Sequence, residues 1–172
     1  GNESGDDGGA LHVQNEETDT GDLVEGSADV SFSTFHANVI PEGDLFHRGV
    51  AVHVQGVASV TVNDSLFSSH NHRGDLIDDE SGGFVQVQRV GISAAQGADT
   101  RLGHLNDAVR GSALYIQDSP LKPTEDWDFR FRPGSDFLNA GDPSLSDVDG
   151  SISDLGAFGV PDADAAAFEG FD

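Results

Sequence analysis

Apolar and polar residues alternate through a short word that recurs four times along the chain. It reads Ala10-Leu11-His12-Val13-Gln14, then Ala51-Val52-His53-Val54-Gln55, Phe84-Val85-Gln86-Val87-Gln88 and Ala113-Leu114-Tyr115-Ile116-Gln117. In the first word Leu11 and Val13 point one way, and Ala10, His12 and Gln14 the other. That period of two is the pattern of a strand with one buried face. A second apolar patch follows the first three words, at Val30-Ser31-Phe32, Val60-Thr61-Val62 and Val90-Gly91-Ile92. After two of these comes a third, around Phe35 and around Leu66-Phe67. Stretches rich in Gly, Asp, Asn and Ser separate the words, at 15–27, 40–49, 72–82 and 95–111, and read as loops.

Self-similarity of this kind marks a repeat architecture, in which each unit buries its apolar face against its neighbours. The pattern predicts stacked coils, each made of strand, bend, strand, bend and partial strand. Equivalent residues would then lie about 4.8 Å apart along the stack. Leu11, Val52, Val85 and Leu114 are expected to share one parallel sheet and to point inward. Gln14, Gln55, Gln88 and Gln117 are expected to form a ladder of hydrogen-bonded amides.

The 172 residues suffice for one domain with a sizeable core. The 22 glycines suit tight bends between strands. The best helix candidate, Asp162 to Phe168, is short, and no apolar run is long enough to span a membrane. No signal peptide is present and the chain opens on Gly1, so a processed or excised form is expected. Cysteine is absent, which removes disulfides and thiol catalysis. Charge changes the picture more. With 31 acids against 8 bases the formal net charge is −23, which argues against nucleic acid or an anionic membrane as partner. Three readings remain: a surface solvated for high ionic strength, acidic loops that bind divalent cations, or recognition of a basic partner.

The segment from Arg48 to Ser68 resembles a coil of the right-handed parallel β-helix proteins of bacterial and archaeal surfaces. Its carriers are Gly49-Val50-Ala51-Val52-His53-Val54, Val60-Thr61-Val62 and Ser65-Leu66-Phe67. Asp128 to Pro143 is similar to the last coil of that family, and Asp147 to Gly159 to its closing segment. Asp136 and Phe137 stand where the family usually carries proline and alanine. The matches cover roughly residues 9–160. The resemblance implies an all-β, right-handed parallel β-helix (a solenoid) of about four to five coils. It divides the chain into coils with long acidic loops over 1–132, a C-terminal closing coil over 133–160 and an acidic tail over 161–172. It also implies an extracellular or cell-surface location. Relatives include structural and adhesin-like proteins. Carbohydrate-active lyases and hydrolases share the architecture, which does not itself carry their activity.

Asp147-x-Asp149-Gly150-Ser151-x-x-Asp154 is the best chemical signal, with Asp142 just upstream. Alternating carboxylates on a glycine turn can converge hard oxygens on calcium. The alternative is a turn in which Asp147 and Asp149 bond the local backbone. Asp75, Asp78, Asp79 and Glu80 form a second acidic cluster, read first as a solvated loop. His12 and His53 share one column of the repeat, continued by Gln86 and Tyr115; on adjacent strands they would share a metal or titrate together, but the preferred reading is that they are outward-facing strand residues. His70-Asn71-His72 reads as a polar bend. Arg130 and Arg132 would lie on one side of a strand, where they grip an anionic sugar or, preferably, pair with Asp126 and Asp128. Lys122 lies in a proline turn, Trp127 and Tyr115 are too few for a sugar platform, and Asn63-Asp64-Ser65 fits a glycosylation sequon.

These features predict a non-enzymatic extracellular structural or adhesive module, stabilised by calcium and part of a larger assembly. The alternative is a fragment of a carbohydrate-active enzyme such as a polysaccharide lyase, which needs a basic residue beside a cation in one cleft. The expected partners are a polypeptide or a second copy covering the N-terminal coil, and polysaccharide. The tail from Val160 to Asp172, with Phe168 and Phe171, is a candidate docking element.

Overall fold

The computed structural model describes residues 10–36, 51–68, 76–80, 82–93, 107–117, 128–147 and 149–159. The chain runs first through β1 (Leu11–Gln14), β2 (Glu16–Glu17), β3 (Leu23–Val24), β4 (Gly26–Ser31) and β5 (Thr34–His36). The next group is β6 (Val52–Gln55), β7 (Ala58–Asn63) and β8 (Leu66–Ser68). Then come β9 (Ile77–Glu80), β10 (Phe84–Gln88) and β11 (Gly91–Ser93). β12 (Val109–Gly111), β13 (Tyr115–Gln117) and β14 (Asp128–Phe131) follow. Among the described residues there is no helix.

Three sheets are parallel, in the orders β1-β6-β9, β10-β7-β4 and β12-β11-β8-β5. Two further pairs, β2–β3 and β13–β14, are antiparallel. This corrects the expected right-handed parallel β-helix of about four to five coils. Among the described residues, parallel pairing ends at three or four strands, and the fourth word turns to an antiparallel partner.

The repeated words explain the discrepancy. The first two are neighbours in register, with Leu11 opposite Val52, His12 opposite His53 and Gln14 opposite Gln55. The third place in that sheet belongs to Ile77–Glu80. Phe84–Gln88 lies instead on β7, with Val85 opposite Val60 and Gln88 opposite Asn63. Tyr115 pairs with Phe131, and Leu114 is 37% exposed. The inward ladder of Leu11, Val52, Val85 and Leu114 therefore exists only for its first two members. Alternation tells which face of a strand is buried but not which sheet the strand joins, so identical words fit different sheets. Val90-Gly91-Ile92 is displaced in the same way: Gly91 and Ile92 pair with Leu66 and Phe67, not with Val60–Val62.

The bends between second and third sheets share one geometry. Each carries a non-glycine residue in the left-handed region: Phe32 (φ 47°), Asp64 (φ 47°) and Arg89 (φ 48°). Their neighbours on adjacent strands support them, because the Phe32 amide donates to the Asn63 carbonyl and the Asp64 amide to that of Gln88. Such positions cost energy unless the surroundings fix them. Inside the three sheets Val52, Val54, Val60, Val62, Phe67 and Ile77 form the heart of one core, all nearly inaccessible.

A smaller core lies on the other side of the third sheet, where Leu66 meets Tyr115, Phe137 and Leu155. The segment 133–159 is held there by backbone bonds. The Gly156 amide donates to the Asp64 carbonyl, and the Ala157 amide to Thr34 Oγ1. Gly91 makes room for it, since a Cβ there would fall 2.7 Å from a Phe137 ring carbon.

Candidate functional site

The acidic loop is built on a small antiparallel bridge between Ser146 and Ile152. Gly150, at φ 83°, closes the turn and donates its amide to the Asp147 carbonyl. Asp147 Oδ1 accepts the Asp149 amide at 3.3 Å, and Asp149 Oδ1 accepts the Ser151 amide at 2.8 Å. The Ser151 hydroxyl donates towards both Asp147 oxygens at 3.3 Å. Asp154 Oδ1 accepts the Asn139 amide at 2.7 Å. Asp142 faces elsewhere: its Oδ1 accepts from the Ser144 amide and hydroxyl, and its Oδ2 lies 3.0 Å from Arg89 Nη2.

The charges in this loop strain against one another. Burial, reinforced by the neighbouring Asp149, pushes the Asp147 carboxyl up. Burial also raises Asp154, and the charges of Asp147 and Asp149 add to it. Hydrogen bonds from Ser151 hold Asp149 below the usual carboxylate range. Asp147, Asp149 and Asp154 offer the hard oxygens that calcium takes. In this geometry those oxygens serve turn donors, and among the described residues no three His, Asp or Glu side chains surround a common point.

The other sequence candidates are scattered. His12 and His53 do meet, with ring centroids 4.9 Å apart. Their column continues to Asp78, opposite His53 on β9, and not to Gln86 or Tyr115. His53 Nδ1 lies 3.7 Å from Asp78 Oδ2, longer than a hydrogen bond. Asp78 and Asp79 belong to strand β9 and not to a loop. Arg130 is clamped on Asp128 by Nε at 2.9 Å and Nη2 at 2.6 Å, the pairing preferred from sequence. That clamp lowers the Asp128 carboxyl. Ser65 of the sequon is buried and donates its hydroxyl to the Asn63 carbonyl. Asp75, His70-Asn71-His72, Lys122, Asp126, Trp127 and the tail from Val160 to Asp172 lie outside the described residues.

Two polar clusters escape a reading of the sequence. Asp64, 3% exposed, accepts Arg89 Nε at 2.8 Å and Nη2 at 2.9 Å, while the same guanidinium reaches Asp142. This bidentate pair sits on the stacked left-handed bends and ties them to the 133–159 segment. Only the correct strand alignment brings the two residues together. The second cluster runs from His36 Nδ1 to Ser68 Oγ and on to the Tyr115 hydroxyl, both contacts 2.8 Å. A histidine on a serine is the arrangement of an activated nucleophile. Here Ser68 is 1% exposed and shares its oxygen with Tyr115, and Phe129 packs over His36 at 4.8 Å. The cluster is a buried polar link between β5, β8 and β13. No family model, curated protein or solved structure matches this chain.

Proposed function

We propose that this chain is a non-enzymatic structural or adhesive module of an extracellular surface protein, acting within a larger assembly. One observation carries the reading: among the described residues, the two arginines with ion-pair partners and the histidine–serine link all serve to hold the chain in shape. Arg89 and Arg130 are each fixed on a carboxylate, and the His36–Ser68–Tyr115 link is buried. The location rests only on the resemblance read in the 48–68 and 128–159 sequence segments, which no comparison with known proteins reproduces. Calcium belongs to this reading as a stabiliser of the 147–154 loop, where it would relieve the repulsion among Asp147, Asp149 and Asp154.

The test is incubation of the full chain with neutral and anionic polysaccharides, with and without calcium. New reducing ends and the ultraviolet absorbance of unsaturated sugars are followed. Neither is expected to rise. Unsaturated products that disappear on Arg130→Ala or Arg132→Ala would overturn the reading in favour of a lyase fragment.

A further inference from the structure

The outer face of the second sheet is an in-register grid of three strands. Its middle row is Asp29, Thr61 and Gln86. Ser31, Asn63 and Gln88 align on one side of that row. Ser27, Ser59 and Phe84 align on the other. Thr61 and Asn63 are half-buried and the rest are exposed, Phe84 to 61%. Eight of these nine residues carry no charge, and seven of them offer a hydroxyl or a carboxamide. This is the outer side of the strands whose other side, through Val60 and Val62, builds the core, so the grid is held rigidly.

We propose that this face binds a neutral polysaccharide; the inference rests on the adhesive reading above and names its ligand class and its surface. Size argues first. Three strands and five residues span about 10 Å by about 13 Å. That is far below the roughly 800 Å² per partner of a stable protein interface, and it suits a few sugar rings. Hydrogen-bond chemistry argues second. Hydroxyls and carboxamides both donate and accept, as sugar hydroxyls do. Phe84, exposed at one corner, presents an aromatic face for the C–H side of a ring. Charge argues third. A net charge of −23 repels an anionic polymer, while a cationic one has acid-rich surface elsewhere to choose.

Affinity electrophoresis of the full chain in gels containing dextran, glucomannan or xyloglucan tests this, with polygalacturonate and chitosan as anionic and cationic comparisons. At least one neutral polymer is expected to retard the protein. Phe84→Ala, by losing a stacking contact, and Gln86→Glu, by losing an amide donor and adding a second charge to the row of Asp29, should each weaken that retardation on the order of tenfold. Leu23→Ala, on the exposed β2–β3 hairpin, should leave it unchanged. Circular dichroism checks that each variant keeps its fold. Retardation by none of the neutral polymers, or retardation indifferent to both substitutions, overturns the proposal. So does a dimer in sedimentation that Phe84→Ala dissolves, which would assign the face to a second copy. None of these outcomes touches the non-enzymatic reading, which fails only on turnover.

Discussion

At the scale of the residue, the pair Asp64–Arg89 bears on stability most directly. Asp64 combines three costs: a left-handed backbone, near-complete burial and a negative charge. Arg89 offsets the last with two hydrogen bonds, and its own backbone is left-handed too. Removing one member of a buried pair leaves the other uncompensated, which is worse than removing both. Arg89→Ala is therefore expected to cost about 3 kcal/mol, at the lower end for such pairs because the guanidinium is partly solvated. Asp142→Ala removes the solvated arm together with the turn bonds from Ser144, and should cost clearly less than Arg89→Ala. Urea melts of the two variants, and of the Asp64→Ala/Arg89→Ala double variant, give the comparison. Equal losses from Arg89→Ala and Asp142→Ala, or strict additivity in the double variant, would show that the pair does not act as a unit.

At the scale of the element, the sequence was legible wherever a signal depends on one strand alone. Leu11, Val13, Val52 and Val54 do face the core, and the 10–14 and 51–55 words do pair in register. What could not be read was partner choice. Phe84–Gln88 spells the same word as Val52–Gln55 yet pairs with β7, because Ile77–Glu80 already takes the place beside β6 and the chain then turns at Gly82-Gly83 onto β7. The calcium-like motif was legible as a turn, and its carboxylates do lie near one another, but spacing could not tell turn donors from a cation. Two outcomes check this level. Gly91→Ala places a methyl against the Phe137 ring and Leu66 Cδ1, so it should lift the 133–159 segment and cost about 1–3 kcal/mol, and Phe137→Leu should restore part of that loss. Calcium, if it binds the 147–154 loop, stabilises the folded form with the logarithm of its concentration. Millimolar calcium is expected to raise the melting temperature, chelator to reverse the rise and Asp149→Ala to abolish it. A rise that survives Asp149→Ala would move the ion elsewhere.

At the scale of the whole molecule, the excess of acid makes stability a function of pH and salt. A net charge of −23 opposes compaction, and each proton taken up below neutrality relieves it. Asp147 and Asp154 add to this trend. Burial holds both above the ordinary carboxylate value of 3.8, so the folded chain binds their protons more readily than the unfolded chain does. Stability should therefore rise as pH falls from neutral through their raised values. Asp128 and Asp142 act in the opposite sense. Hydrogen bonds from Arg130 hold the first below 3.8, and those from Ser144 hold the second there. Their contribution is complete above that value and is lost as pH falls through the depressed folded values. The two trends together place the stability maximum on the acid side of neutrality, above about pH 4. Salt should flatten the neutral limb, because the Debye length falls from about 10 Å at 0.1 M to about 3 Å at 1 M. Thermal melts between pH 3 and 8 in 0.05 M and 1 M sodium chloride test the argument (the added salt should raise the melting temperature more at pH 7 than at pH 4.5). Melting temperatures that climb steadily to pH 8, or that fall with salt at pH 7, would mean that the repulsion of the whole surface does not govern stability.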